Sequence, residues 1–183
     1  MALIFWYFIF YSFLGFVLEV LFARLTHSVK HDRKCMLILP LCPVYGFGAL
    51  LIISLPAFIQ RNPFLLFSVG ALTATVVEYA MDWFYEKFFK VRFWDYSDMP
   101  WNVNGRVCLM FSGMWGILAL VLIAWVHPLA ASWISAIPAS LFLPAFLFLL
   151  LDLFFTTLLL RSSETTESLR WYDRFHSTAK EKS

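Results

Sequence analysis

The stretch "FWDYSDMPWNVNGRVCL", Phe93 to Leu109, decides how this chain is read. It sets two Trp, two Asp, two Asn, an Arg, a Pro and a Gly between long apolar runs. Trp94, Tyr96 and Trp101 suit the headgroup level of a bilayer, where amphipathic rings settle. Pro100 and the Asn104-Gly105 pair mark turns, and Asn-Gly readily takes positive φ. Arg106 directly precedes an apolar run, with Asn102 and Asn104 placed to cap its start or to offer amide contacts to a ligand. The stretch therefore reads as a folded loop tucked against a membrane face, joining two membrane helices.

Composition supports that reading. The chain is 61% hydrophobic and only 14% charged, with mean hydropathy +0.75, whereas a soluble domain carries about 25% charged residues. A net charge of +2 without a basic stripe gives no footprint for nucleic acid. Three cysteines without a CxxC pair favour neither a disulfide framework nor a zinc site. The apolar run Ala2–Ala23 has no leading basic region and exceeds the roughly 7–15 residues of a signal-peptide core, so it reads as a first membrane helix.

Five segments are long enough to cross a hydrocarbon core, which takes roughly 20 helical residues. They lie near residues 2–23, 37–59, 64–86, 107–126 and 134–160. With the amino terminus outside, the loops Arg24–Met36 and Lys87–Arg106 and the tail from Arg161 hold 13 of the 14 Lys and Arg, leaving Arg61 outside. Cytoplasmic loops carry the Lys/Arg excess, so the expected topology is N-out, C-in. The expected fold class is an all-α membrane protein. It has a five-helix transmembrane domain over residues 1–160, a folded cytoplasmic loop between helices three and four, and a polar cytoplasmic tail over 161–183. In that tail Leu169, Tyr172 and Phe175 recur at helical spacing beside Arg170 and Arg174, which fits a short surface helix as well as a solvated tail.

Four acids fall within the spans: Glu19, Glu78, Asp82 and Asp152, with Glu86 at an edge. A charge at a helix centre costs about 2.5–3.5 kcal/mol on insertion scales, so four of them should face each other, a polar cavity or a cation. All lie on spans one, three and five, which run in one direction. Counted back from the basic residue ending each helix, they form layers about 7 Å and about 13 Å above the cytoplasmic interface. Glu78, Asp82 and Glu86 are spaced i, i+4, i+8 and share one face. Ser112, Gly116 and Ala119 make a small-residue stripe that would admit another helix. Two readings stay open: acids that hold helices together, by protonated hydrogen bonds or by pairing with Arg106, and acids that form a functional site. The site residues on the second reading are Glu19, Glu78, Asp82, Asp152, Arg106, Asn102, Asn104, Ser112, Tyr96, Trp94 and Asp95.

The runs "YSFLGFVLE" (Tyr11–Glu19), "CPVYGFGAL" (Cys42–Leu50), "EYAMDWFYEKFF" (Glu78–Phe89) and then "FWDYS…WNVNGRVCL" occur in this order. The chain thereby resembles, from Phe5 to Ile123, the family of small membrane proteins described as "Putative ABC-transporter type IV". The family's usual Asn-Arg-Gly-Phe-Leu lead-in to the second span is replaced by "DRKCM", Asp32 to Met36, and its Gly before the Pro of that span by Leu39. The resemblance implies an ABC system, yet the chain contains no GxxxxGK[ST] and no Gly-Lys pair, so the ATPase would be another chain.

Three functions follow from these residues. The first is a transport-associated, permease-like subunit of a bacterial cytoplasmic membrane, with a carboxylate-lined polar site in the inner half of the bilayer. The Pro- and Gly-rich start of span two, "LPLCPVYGFG", would be locally unwound there. Five helices make a thin bundle for a whole pathway, so a homo-oligomer or a separate ATPase chain is the expected partner. The second is a membrane enzyme acting on lipid, with Glu78 and Asp82 as acid and base or Mg²⁺ ligands. No HExxH or GxSxG pattern is present, and no cofactor is required. His27 and His31, at i and i+4 in the first loop, read as solvated, and none of the four His is expected mid-membrane. The third function is a scaffold whose acids only bind helices together.

Overall fold

The computed structural model describes residues 2–26 and 35–169. His27, His31, the basic residues Lys30, Arg33 and Lys34, and the expected tail helix beyond Leu169 lie outside the described residues. Four helices are long and apolar enough to cross a membrane: Ala2–Leu25, Pro63–Phe89, Leu109–Ser135 and Ala139–Ser163.

Helix α1 (Ala2–Leu25) is an uninterrupted apolar run without Pro. Helix α4 (Pro63–Phe89) has a defined start, because the Asn62 side chain accepts hydrogen bonds from the amides of Phe64 and Leu65 and Pro63 occupies the first turn. It stops at Lys90, which is left-handed at φ 56°. Helix α5 (Leu109–Val121) widens into a π-helical turn (Leu122–Val126) and continues as α6 (His127–Ser135). Pro128 cannot donate a helical hydrogen bond, and the wider turn just before it accommodates that loss. The fourth span is therefore longer than its expected end at Val126, and His127, expected outside it, lies within this helix. There it lies 2.7 Å from the Tyr11 hydroxyl. After a short 3-10 turn (Ala139–Leu141), helix α7 (Phe142–Ser163) completes the set.

The second expected span is not one helix. Helix α2 (Pro43–Ile53) has 11 residues, about 16 Å, roughly half of a hydrocarbon core. A turn and the four-residue α3 (Ala57–Gln60) link it to α4. Before α2, residues 35–42 are irregular. The cause is local: Pro40 and Pro43 disfavour helical conformation at Leu39 and Cys42, and Cys42 is extended at φ −113°, ψ 95°.

Helices α1, α4 and α7 run parallel. Phe5 meets Phe142 at 5.3 Å between ring centres near one end, and Lys90 pairs with Glu164 at 3.1 Å at the other. Packing depends on close approach. A Cβ on Gly15 would lie 2.2 Å from the Tyr45 ring and one on Gly46 2.2 Å from the Ser12 hydroxyl, so at these glycines side chains of one helix rest directly on the backbone of the other. The Ser112, Gly116, Ala119 stripe faces α4 as a small-residue interface should: Thr75 donates to the Ser112 hydroxyl at 2.9 Å, and Gly116 and Ala119 sit against Phe67 and Gly70. Beyond α7, a 3-10 turn (Thr166–Leu169) folds back, burying Leu169 with Val91 and Leu160.

Candidate functional site

The intramembrane acids separate into three centres. Asp152, midway along α7, faces the irregular segment. Its Oδ1 and Oδ2 accept from the Ile38 amide at 3.0 and 3.2 Å, and Oδ2 accepts from the Leu39 amide at 2.6 Å. Thr156, one turn further, accepts from the Leu37 amide at 2.9 Å and donates to Asp152. The Leu41 and Cys42 amides reach the carbonyls of Leu39 and Ser12, both at 2.9 Å, and Pro40 has no N–H. Every amide from Leu37 to Cys42 thus has an acceptor, as non-helical backbone inside a bundle requires. Asp152, completely buried, serves as a cap for backbone and lies apart from the other acids.

The second centre is a clasp on the loop Lys90–Cys108. Asp82, with a fully buried side chain, accepts from Arg106 Nη1 at 2.9 Å and from Arg92 Nε at 3.2 Å. Arg106 also pairs with Glu86 and lies 5.4 Å from the centre of the Tyr79 ring. Arg92 donates to the Gly105 carbonyl at 2.9 Å and approaches Asp95 at 3.4 Å. Hydrogen bonds from the Ser97 side chain and amide hold Asp95 below the usual carboxylate range.

The loop itself is a small ribbon, in which β1 (Asn102–Val103) pairs antiparallel with β2 (Val107–Cys108). Asn104 and Gly105 make its turn with φ of 55° and 67°. Asn102 and Asn104 were expected to cap the next helix or meet a ligand. Asn102 instead donates to the Ser97 and Met99 carbonyls and accepts from the Gly105 amide. Asn104 donates to the Tyr79 hydroxyl. Helix α5 begins at Leu109 after Cys108, with no side-chain cap, because Val107 and Cys108 belong to the ribbon.

The third centre is a cavity of about 220 Å³ where α1, α2, α4 and α5 converge. Glu19 and Glu78 both line it, with Tyr45, Trp94, Tyr96 and Trp115. Tyr45 donates to Glu19 Oε1 at 2.8 Å. Glu78, only 4% exposed, accepts from the Tyr96 hydroxyl at 3.0 Å on Oε1 and from Trp115 Nε1 at 2.9 Å on Oε2. Tyr96 is stacked on Phe111 at 4.7 Å, and its amide is tied to the Gly105 carbonyl. Trp94 donates from its indole to the Arg106 carbonyl. The loop thus supplies two walls of the cavity. The clasp fixes the loop.

Of the residues the sequence singled out, Glu19, Glu78, Tyr96 and Trp94 meet at the cavity. Asp82, Arg106, Asp95, Asn102 and Asn104 build the loop, Ser112 packs against α4, and Asp152 stands alone. Sequence reasoning passed over Tyr45, Trp115 and Arg92. Trp115 was within reach, since it follows Ser112 by three residues on the face already assigned to helix packing. Arg92 was counted only as a basic residue for topology, and nothing short of the loop's fold turns it toward Asp82.

Fold and site together define an α-helical membrane protein with a buried acidic and aromatic cavity under a folded interhelical loop. The chain belongs to the family described as "Putative ABC-transporter type IV", whose pattern matches residues 6–159. It is a transport-associated membrane protein by that membership. No curated protein and no solved structure matches it.

Proposed function

We propose that the chain is a permease-like subunit of a bacterial cytoplasmic-membrane transport system, with Glu19 and Glu78 as its polar site. One observation carries this: the two carboxylates, from parallel helices, line one cavity together with several aromatic rings. Acids retained there, at a cost to insertion, are the expected mark of a solute or ion pathway. The topology is N-out, C-in, with five crossings, the second made of the irregular segment plus α2. Arg24, Lys87, Lys90, Arg92, Arg106 and Arg161 gather at the end that carries the loop, and Arg61 lies between α3 and α4 at the other, which supports a cytoplasmic loop. Coupling to ATP comes from a separate ATPase chain, and the thin bundle works as a homo-oligomer or with that partner.

The scaffold reading has support of its own from Asp152 and Asp82, whose oxygens bind backbone and arginine. For Glu19 and Glu78, which also accept from Tyr45, Tyr96 and Trp115, the cavity is what favours the transport reading. The test is uptake of labelled solutes by proteoliposomes carrying the chain with a co-purified ATPase. Glu78→Gln should cut ATP-driven uptake at least tenfold while the thermal melt stays close to that of the unsubstituted protein. Unchanged uptake would leave the scaffold reading, and metal-dependent turnover of added lipid would select an enzyme.

A further inference from the structure

Cys35 and Cys42 stand at the two ends of the irregular segment before α2. Both are thiols, and their sulfurs lie 3.5 Å apart, in hydrogen-bonding contact. The contact is a product of the fold, because seven residues of extended chain span roughly 23 Å. Here the amides of Leu37, Ile38 and Leu39, bonded to Thr156 and Asp152, anchor the segment to α7 in a form whose ends meet. Met36 and Leu41, the inner neighbours of the two cysteines, share one buried apolar cluster with Leu149 and hold that closure from within.

We infer that Cys35 and Cys42 are an oxidative modification site, converted to a disulfide by hydrogen peroxide. A disulfide needs its sulfurs at about 2.05 Å, so roughly 1.5 Å of approach closes the bond, within the sweep of a side-chain rotation. Cys35, the more exposed at 6% against 1%, meets the oxidant first. Its sulfur attacks one peroxide oxygen and the O–O bond breaks. The departing oxygen leaves as water with the thiol proton, and Cys35 carries a sulfenic acid. The Cys42 sulfur then attacks the Cys35 sulfur, the S–O bond breaks, and the hydroxyl leaves as water with the Cys42 proton. In sum, two thiols and one peroxide give one disulfide and two waters; the sulfurs are oxidised and the peroxide is reduced. A small dithiol reverses the bond by two exchanges through a mixed disulfide.

Burial chooses both the oxidant and the consequence. Hydrogen peroxide is little larger than water, whereas bulky thiol reagents and the thiols of other proteins have no comparable access to sulfurs this deep. The site therefore responds to a small oxidant and does not cross-link chains. Once formed, the bond ties Cys42, the residue that leads into α2, to the entry of the segment. Residues 36–41 then lie inside a covalent ring, and the hold of Asp152 and Thr156 on them no longer stands alone. In the proposed topology Cys35 belongs to the cytoplasmic loop Arg24–Met36, in a compartment that keeps thiols reduced, where a disulfide is transient and registers oxidation. Bond formation itself rests on neither the orientation nor the transport reading.

The assay exposes the full chain in maltoside micelles to hydrogen peroxide, quenches with catalase, denatures in N-ethylmaleimide and reads the intact mass. The reduced chain should take up three maleimides, one for each cysteine, and the oxidised chain one, on Cys108. Peptide mapping should place the bond between residues 35 and 42, and dithiothreitol should restore all three thiols. In Cys42→Ser the reaction should stop at a sulfenic acid on Cys35, which dimedone traps. Should that variant fail to fold, the unsubstituted chain carries a readout of its own: amide hydrogen exchange across residues 37–42 should slow about tenfold on oxidation. Three maleimides after peroxide, a bond to Cys108, a bond between two chains, dimedone on a residue other than Cys35, or exchange unchanged by oxidation would each overturn the inference.

Discussion

Replacing Asp152 by Ala is the sharpest test of the reasoning about buried backbone. In the native protein its two oxygens take the amides of Ile38 and Leu39, the closer at 2.6 Å, in a place with no exposure at all. Alanine would strand both N–H groups. Each buried donor left without an acceptor costs about 1–3 kcal/mol, so Asp152→Ala should destabilise by about 2–6 kcal/mol. That is a large part of a typical folding stability of about 5–15 kcal/mol. For a chain of this size it corresponds to a fall in Tm on the order of 10 °C. Asp152→Asn keeps one acceptor oxygen and loses the charge, and should cost about half as much. The measurement pairs a thermal melt in maltoside micelles with amide hydrogen exchange across residues 37–42. Protection should drop at Ile38 and Leu39 in both variants. A Tm for Asp152→Ala within about 2 °C of the parent, with exchange unchanged at those amides, would refute the assignment of Asp152 as a backbone cap.

Three further outcomes follow. Gly15→Ala and Gly46→Ala should each lower stability by about 1–3 kcal/mol by forcing α1 and α2 apart, whereas Gly48→Ala, with open space at its Cβ, should match or exceed the parent in the same melt. Asp82→Asn removes the acid that two arginines share, so trypsin should cut the loop at Arg92 and Arg106 much faster. Arg92→Gln should have a milder effect, because Arg106 still holds Asp82 at 2.9 Å. In inside-out and right-side-out vesicles, Lys90→Cys should react with an impermeant maleimide only from the cytoplasmic side and Arg61→Cys only from outside. The reverse pattern would overturn the orientation. Cys35 and Cys108 are poor reporters, being 6% and 1% exposed.

The family and the membrane class were legible in the sequence, because each depends on local composition or on short motifs. A long apolar run without Pro forms a helix wherever a bilayer or bundle shields it. Pro40 and Pro43 announce the break before α2 through local steric effects, in line with the local unwinding expected at the start of span two, although apolar length alone ran that span from 37 to 59. The face shared by Ser112, Gly116 and Ala119 follows from helical periodicity, and so does its role against a neighbouring helix.

The partition of the acids was not legible. Depth along a helix follows from counting residues, and on that count Glu19 and Asp82 form one layer, Glu78 and Asp152 another. Which groups meet depends on the rotation of each helix and on where non-helical backbone enters, and both are set by contacts far apart in sequence. Asp152 faces Ile38 across 114 positions, and Trp115 reaches Glu78 across 37. The sequence by itself determined that buried carboxylates must be satisfied, since an ionised group in an apolar medium cannot stand alone. Only the tertiary structure decided by what: backbone amides for Asp152, arginines for Asp82, and the rim of an aromatic cavity for Glu19 and Glu78.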